Sequence, residues 1–139
     1  MTIHFRKDSP SGVTPPNPDG PRDIVAHITK HRGMKTAYTS VSENKDCIKH
    51  FTGDLYAAES DDITKDGHEF ITHSRLVHVL KQTIQTKQKA EKVTASRALQ
   101  YALRAKEAVV DWQFRLEALD RNERISWCCK HSQKYFKRI

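Results

Sequence analysis

The stretch KTAYTSVS, residues 35–42, decides how the N-terminal half of the chain folds. Its Thr, Tyr and Val residues are β-branched or aromatic, the types enriched in strands, and they predict a strand over Thr36–Val41. Alternate residues of a strand point to the same face of a sheet. The stretch therefore predicts a strand that presents neighbouring hydroxyl groups on one surface.

The segments around this strand predict a sheet-rich first half. The alternation of residues 2–5, the composition of 54–58 and the run 69–72 each indicate a short strand. Residues 9–20 hold most of the prolines and predict a loop, and 61–67 a turn-rich connection. Two helices are expected, at 21–31 with Gly33 ending it, and at 43–51 with Ser42 as its cap.

The second half has a different texture. Residues 74–139 contain no Gly and no Pro, and their apolar spacing predicts helices throughout. The first helix places Leu76, Val77, Leu80 and Ile84 on one face. The second begins at a cap at Thr94 or Ser96 and is traced through Leu99, Leu103, Val110 and Phe114. The third covers the segment 125–136, which includes Ile125, Trp127, Cys128, Tyr135 and Phe136.

These patterns predict one α+β domain over residues 1–139. A small twisted, mostly antiparallel sheet from residues 1–73 is expected to pack with a helical half, residues 74–139. A length of 139 residues with 37% hydrophobic and 29% charged residues is typical of one globular domain with a real core. No apolar run approaches the length that a bilayer requires, so no membrane insertion is expected.

Cysteine and histidine positions do not favour a metal site or disulfides. Cys47, Cys128 and Cys129 are three in number and two are neighbours, which indicates free thiols. His27 and His31 have helical i, i+4 spacing but no evident third ligand, and no paired zinc-ligand spacing occurs. We therefore expect no metal.

The chain carries 24 Lys and Arg against 17 Asp and Glu, a formal net charge of +7. Most of this excess lies in the helical half, where residues 74–107 hold eight cations and two acids. This excess of positive charge favours a polyanionic partner, either RNA or an acidic protein surface.

Three segments of the first half carry residues suited to one chemistry. Arg6 ends the first predicted strand, Tyr38–Ser42 is the hydroxyl-bearing strand, and Glu69 lies on a later one. An arginine fork binds phosphate oxygens bidentately. A carboxylate held at low dielectric stabilises a positive charge that develops in a transition state.

In this order the segments resemble cholera-toxin-like ADP-ribosyltransferases. In that family an Arg-x-Asp strand end precedes a Pro-rich loop and a helix, and a Ser-Thr-Ser strand and a catalytic glutamate follow. The resemblance implies that NAD is the substrate that supplies ADP-ribose. It implies that Arg6 binds NAD, that Tyr38, Thr39 and Ser40 shape the nicotinamide pocket, that Glu69 is catalytic, and that His68 and His73 lie on the substrate side.

The resemblance also implies a biological setting. Many such domains are C-terminal tips of bacterial polymorphic toxins, including Rhs-type proteins. We therefore expect a mono-ADP-ribosyltransferase toxin or effector, secreted or delivered as part of a larger toxin and acting in the target-cell cytoplasm. Its acceptor would be a protein or an RNA, ribosomal RNA included, and an acidic immunity protein would be its partner.

Two other interpretations stay open on the sequence. The first is a basic module that binds RNA or an acidic protein without catalysis. The second is a metal-independent nuclease toxin that uses His4, His68 or His73. The transferase interpretation requires that Arg6, Ser40 and Glu69 converge on one cleft.

Overall fold

A computed structural model describes residues 2–29, 36–114 and 118–139. The strands are β1 Ile3–Asp8, β2 Tyr38–Ser42, β3 Asp54–Glu59, β4 Glu69–Ile71, β5 Glu107–Asp111 and β6 Lys137–Arg138. The helices are α1 Ile24–Thr29, α2 Ser60–Lys65, α3 His73–Thr86, α4 Lys89–Ala105 and α5 Arg121–Gln133, with a 3₁₀ turn at Lys45–Ile48.

The six described strands form one sheet in the order β4-β5-β2-β1-β3-β6, and their described pairings are all antiparallel. The predicted α+β class is confirmed. One pairing is much shorter than its neighbours: β1 meets β2 only where Phe5 lies opposite Ser42, whereas β1 pairs with β3 over six residues. The sheet therefore opens between β1 and β2 beyond Phe5.

Helices cover both faces of the sheet. Val109 and Val110 follow each other on β5, so they point to opposite faces, and both are fully buried. Val110 joins a cluster on one face with Val13, Val41, Tyr56, Ala58, Ile63, Ala108, Trp112, Tyr135 and Phe136. Val109 joins a cluster on the other face with Leu76, Leu80, Ala98 and Ala102 from the α3–α4 hairpin, against which Ile24, Val25 and Ile28 of α1 pack.

The prediction of a purely helical second half is wrong. Helix α4 ends at Ala105, and Lys106 adopts a left-handed conformation with φ of 49° that turns the chain into β5. Strand β5 then lies inside the sheet, between β4 and β2. Val110, Trp112 and Phe114 consequently belong to a strand and its continuation, not to a helix. A strand buried on both faces shows no alternation, so its periodicity does not separate it from a buried helix.

Smaller corrections concern the ends of elements. The helix predicted at 43–51 is only the 3₁₀ turn, and its cap is Asn44, whose side chain accepts the Asp46 N–H at 2.9 Å. The connection predicted at 61–67 is largely occupied by α2, which begins at Ser60, and α4 begins at Lys89, ahead of the expected caps Thr94 and Ser96. The predicted helix end at His31 and Gly33 lies outside the described residues.

Among the described helices, none has both the length and the apolar character that a bilayer crossing demands.

Two glycines with positive φ provide a matched test of the packing beside β1. A Cβ at Gly53 would lie 2.4 Å from the carbonyl oxygen of Asp8, whereas a Cβ at Gly67 would meet nothing within 4 Å. Gly67→Ala should lower the free energy of unfolding by about 1–2 kcal/mol, through backbone strain alone. Gly53→Ala should lower it by about 2–5 kcal/mol because the clash adds to the strain. Urea denaturation measures both, and equal losses would contradict the close approach at Gly53.

Candidate functional site

A cavity of about 400 Å³ opens where β1 and β2 separate. This volume lies within the range of small-molecule sites. Elements distant in sequence contribute to it: β1, α1, β2, the segment after the 3₁₀ turn, the end of α4 and the start of β5. The lining residues that matter for its chemistry are Arg6, His27, Ser40, His50, Phe51, Tyr101, Arg104 and Glu107.

Arg6 bridges the gap in the sheet. Its Nη1 donates to the carbonyl oxygen of Ser40 at 2.7 Å, and its Nε donates to Asp8 Oδ2 at 2.8 Å. Burial works to raise the pKa of Asp8, but hydrogen bonds from Thr14 and Ser9 and the charge of Arg6 outweigh it and hold that pKa below its usual value. Asp8 is therefore a carboxylate at neutral pH, and it fixes the arginine fork in the cavity wall.

Ser40 connects two buried titratable side chains. Its hydroxyl donates to Glu107 Oε2 at 2.7 Å, and His27 Nε2 lies 2.6 Å from the same oxygen of Ser40. Because the hydroxyl has one proton and gives it to Glu107, Nε2 of His27 is the donor to Ser40. The other ring nitrogen of His27 contacts the hydroxyl of Thr36. The four side chains form one continuous hydrogen-bonded row.

Glu107 is only 8% exposed although it borders the cavity. A carboxylate is costly to bury unless hydrogen bonds compensate for the lost hydration. The hydrogen bond from Ser40 provides such compensation for the Glu107 side chain. His73 Nδ1 donates to the Glu107 carbonyl at 2.8 Å, and the Glu43 N–H donates to the Lys106 carbonyl at 3.0 Å. The first residue of β5 is thus fixed at both its backbone and its carboxylate.

Cationic and aromatic side chains surround the remainder of the cavity. Arg104 lies near the end of α4, and His50 precedes Phe51 after the 3₁₀ turn. Phe51 is 47% exposed and Tyr101 is 42% exposed. Exposed aromatic faces beside arginines suit a ligand that carries both flat rings and anionic groups.

The predicted convergence of Glu69 with Arg6 and Ser40 is wrong. Glu69 is exposed and lies opposite Asp111 at the end of β5, whereas Glu107 begins that strand. Four residues of strand separate the two ends by about 13 Å. The glutamate that joins Arg6 and Ser40 is therefore Glu107, which the helical interpretation of this segment concealed.

The two other strand residues expected in the pocket have structural partners. Thr39 is buried, and its hydroxyl accepts the Trp112 indole N–H at 2.8 Å on the opposite face from Ser40. Tyr38 packs against the second cluster, with its ring 5.5 Å from that of His27. Burial, with a smaller contribution from the Asp111 carboxylate, raises the pKa of Tyr38. Neither residue lines the cavity.

The histidines proposed for substrate contact or nuclease chemistry occupy different environments. His68 is buried against the rings of Trp112, Phe114 and Tyr135, and its Nδ1 accepts the Gln113 N–H at 2.9 Å. His4 is buried with its ring 4.5 Å from that of Phe70. Because both rings are buried, their nitrogens are not accessible to a phosphate in solvent. A nuclease site at these two positions is therefore not favoured. Of His4, His68 and His73, it is His73 that contacts the site, through the Glu107 backbone.

No group of three His, Cys, Asp or Glu side chains within residues 2–29, 36–114 and 118–139 is arranged to hold a metal ion. Cys47, Cys128 and Cys129 are free thiols. Burial raises the pKa of the Cys128 thiol to about 11, which makes it unreactive at neutral pH.

Comparisons with protein-family models, with curated proteins and with solved structures gave no match.

The structural role of Thr39 predicts a loss of stability when its hydroxyl is removed. Thr39→Val keeps the shape of the side chain but leaves the buried Trp112 N–H without its acceptor, at a cost of about 1–3 kcal/mol in the free energy of unfolding. Thr64→Val, at an exposed position of α2, is the control and should change stability by less than about 0.5 kcal/mol. Thermal and urea unfolding measure both variants, and an unchanged Thr39→Val protein would refute the assignment.

The buried histidines predict a loss of stability in mild acid. Burial lowers the pKa of His4 and of His68 in the folded protein, so the unfolded chain binds more protons below its own histidine pKa of about 6.5. The stabilising contribution is complete above that pH and is lost as the pH falls through the lowered pKa values of the two histidines in the folded protein. His68→Gln retains an acceptor for the Gln113 N–H and should show a shallower fall in urea titrations between pH 7 and 5. An equally steep fall would contradict the role of His68.

Proposed function

We propose that this protein is a mono-ADP-ribosyltransferase whose site consists of Arg6, Ser40 and Glu107. The observation that carries the proposal is the 2.7 Å hydrogen bond from Ser40 to Glu107 in the cavity that Arg6 also lines. The sequence resemblance at Arg6 and Ser40 calls for a glutamate on a later strand. Glu107 meets that requirement in space, and Glu69 does not.

NAD fits the chemistry of this cavity as the substrate. The two arginines, Arg6 and Arg104, offer donors that suit pyrophosphate oxygens. Phe51 offers an exposed ring face to a flat heterocycle. Buried Glu107 offers a negative charge at the inner end, where screening by water is weakest.

The reaction breaks the bond between ribose C1′ and the nicotinamide nitrogen. The bonding electron pair leaves with the nitrogen, which converts the cationic pyridinium to neutral nicotinamide, so the leaving group needs no proton. Positive charge develops on the ribose, and the Glu107 carboxylate stabilises it more in the transition state than in the ground state. The acceptor then forms a bond to C1′ with its lone pair and releases its proton to solvent.

Ser40 and His27 have positioning roles in this scheme. The Ser40 hydroxyl holds one carboxylate oxygen of Glu107, and the donation from His27 Nε2 keeps the hydroxyl proton directed at that oxygen. This arrangement fixes the negative charge before the substrate arrives, so little reorganisation is needed during bond breakage.

The biological setting of the proposal is a bacterial toxin or effector. In this setting the domain is delivered by a larger polypeptide, acts in the cytoplasm of the target cell and is neutralised by an acidic immunity protein. The formal charge of +7 supports an acidic partner.

A matched pair of glutamate variants tests the proposal. Glu107→Gln removes the negative charge but can still accept from Ser40, and we expect nicotinamide release from NAD to fall by about a hundredfold or more. Glu69→Gln makes the same chemical change at the exposed end of the sheet and should keep wild-type turnover.

Circular dichroism and thermal melting of both variants show whether the fold is kept. Full activity in Glu107→Gln would refute the proposed site, as would loss of activity in Glu69→Gln alone. A wild-type protein that releases no nicotinamide but binds RNA would favour the non-catalytic module.

A further inference from the structure

The exposed face of α4 carries a row of cations that leads into the cavity. Lys89, Arg97 and Arg104 lie eight and seven residues apart, so they project from one side of the helix. Val93 and Tyr101 lie between them on the same side, and all five side chains are exposed. We refer to these five residues as the α4 stripe.

The stripe is uniformly positive where it carries charge. The only acidic residue within α4 is Glu91, and its side chain borders a different groove, with Arg22, Val25 and Thr29. Across a rise of about 1.5 Å per residue, the cations from Lys89 to Arg104 span about 22 Å. A row of this length and sign suits the phosphates of an extended polyanion.

The stripe ends at the proposed catalytic residues. Tyr101 and Arg104 line the cavity with Glu107, which follows α4 after a single intervening residue. Tyr101 is 42% exposed, so its ring is open to a planar partner. Cations followed by an exposed aromatic ring are the combination by which proteins hold single-stranded nucleic acid, with phosphates on the cations and a base on the ring.

We propose that the acceptor of ADP-ribose is an unpaired strand of nucleic acid seated on the α4 stripe. This inference rests on the proposed function. An acidic protein offers carboxylates to the three cations but no aromatic base to Tyr101, so the nucleic acid uses more of the surface. The last base, stacked on Tyr101, lies next to the cavity in which C1′ of the ribose becomes electrophilic.

The transfer is balanced without a further reactant. The C1′–nicotinamide bond breaks and its electron pair stays on the nicotinamide nitrogen. A nitrogen or hydroxyl oxygen of the acceptor nucleotide forms the new bond to C1′ with its own lone pair. The proton displaced from that atom goes to solvent, so NAD and the acceptor give ADP-ribosylated nucleic acid, nicotinamide and one proton.

The first experiment measures binding by fluorescence anisotropy. Labelled 12-nucleotide single-stranded RNA, single-stranded DNA of the same sequence, the RNA duplex and polyglutamate are titrated with the full chain from 50 to 200 mM salt. The variant Lys89→Gln/Arg97→Gln removes two stripe cations outside the cavity. The control Lys65→Gln/Lys130→Gln removes two exposed cations from α2 and α5.

We expect single strands to bind more tightly than the duplex and polyglutamate. The stripe variant should weaken single-strand binding about tenfold and reduce the salt slope by about 1.4, which corresponds to two phosphate contacts at about 0.7 each. The control variant should bind like the wild type. Tyr101→Ala should weaken binding by about tenfold with an unchanged salt slope. Preferential binding of polyglutamate, or equal losses in the stripe and control variants, would overturn the inference.

The second experiment measures transfer with labelled NAD. The stripe variant should label the preferred strand at least about tenfold less than the wild type, while nicotinamide release without an acceptor is unchanged. If both proteins release nicotinamide and label the strand equally, the proposed role of the α4 stripe is overturned, whereas the proposed transferase function is not. Strand binding by a wild-type protein that releases no nicotinamide would overturn the proposed function and, with it, the acceptor role.

Discussion

The hydrogen bond between Ser40 and Glu107 is the interaction on which the site depends. Strands β2 and β5 pair over five residues, with Glu107 opposite Ser42 and Val109 opposite Ser40. Glu107 and Ser40 are therefore diagonal neighbours on one face, within reach of a direct contact. A shift of one residue in this register would turn Glu107 to the opposite face. The ladder between the two strands thus determines where the buried carboxylate lies.

The separation of β1 from β2 supplies the space into which this carboxylate faces. If the two strands paired along their whole length, backbone hydrogen bonds would close the sheet at Ser40. Instead, the guanidinium of Arg6 donates to the Ser40 carbonyl, which the pairing of β1 with β2 does not use. Asp8 neutralises and orients this guanidinium. The arginine therefore satisfies a partly buried backbone group and borders a cavity at the same time.

The sequence predicted the parts of this site whose signals are local. The sequence places Arg6 at the end of the first strand, whereas β1 continues past it to Asp8. Ser40 on a strand rich in Thr, Tyr and Val follows from residue composition. Glu107 does not, because the helical pattern of α4 runs directly into a strand that is buried on both faces. The turn between them uses Lys106 in a left-handed conformation, where glycine is the residue that usually marks a helix end. Neither a helix-breaking Gly or Pro nor a change in the apolar periodicity marks the start of β5 in the sequence.

Long-range partners account for the other differences. Thr39 is a residue type expected in a nicotinamide pocket, but its hydroxyl accepts a hydrogen bond from Trp112, which lies 73 positions later in the chain. His68 is placed by three aromatic rings, of which Trp112 and Phe114 lie directly after β5. Because both outcomes depend on where β5 and its continuation pack, one misassigned strand changed the roles of several residues far from it.

The order of charges across the cavity gives the proposal its physical basis. NAD carries negative charge on its pyrophosphate, and positive charge develops on the nicotinamide ribose as its bond breaks. The cavity has arginines at its walls and a carboxylate that is only 8% exposed. A uniformly cationic pocket would bind the pyrophosphate but oppose the developing ribose charge, and so would favour the ground state. A buried carboxylate among the cations stabilises the positive charge that develops on the ribose, and it does so most strongly where the dielectric is lowest. For this reason the catalytic role is assigned to Glu107 and not to an exposed acid.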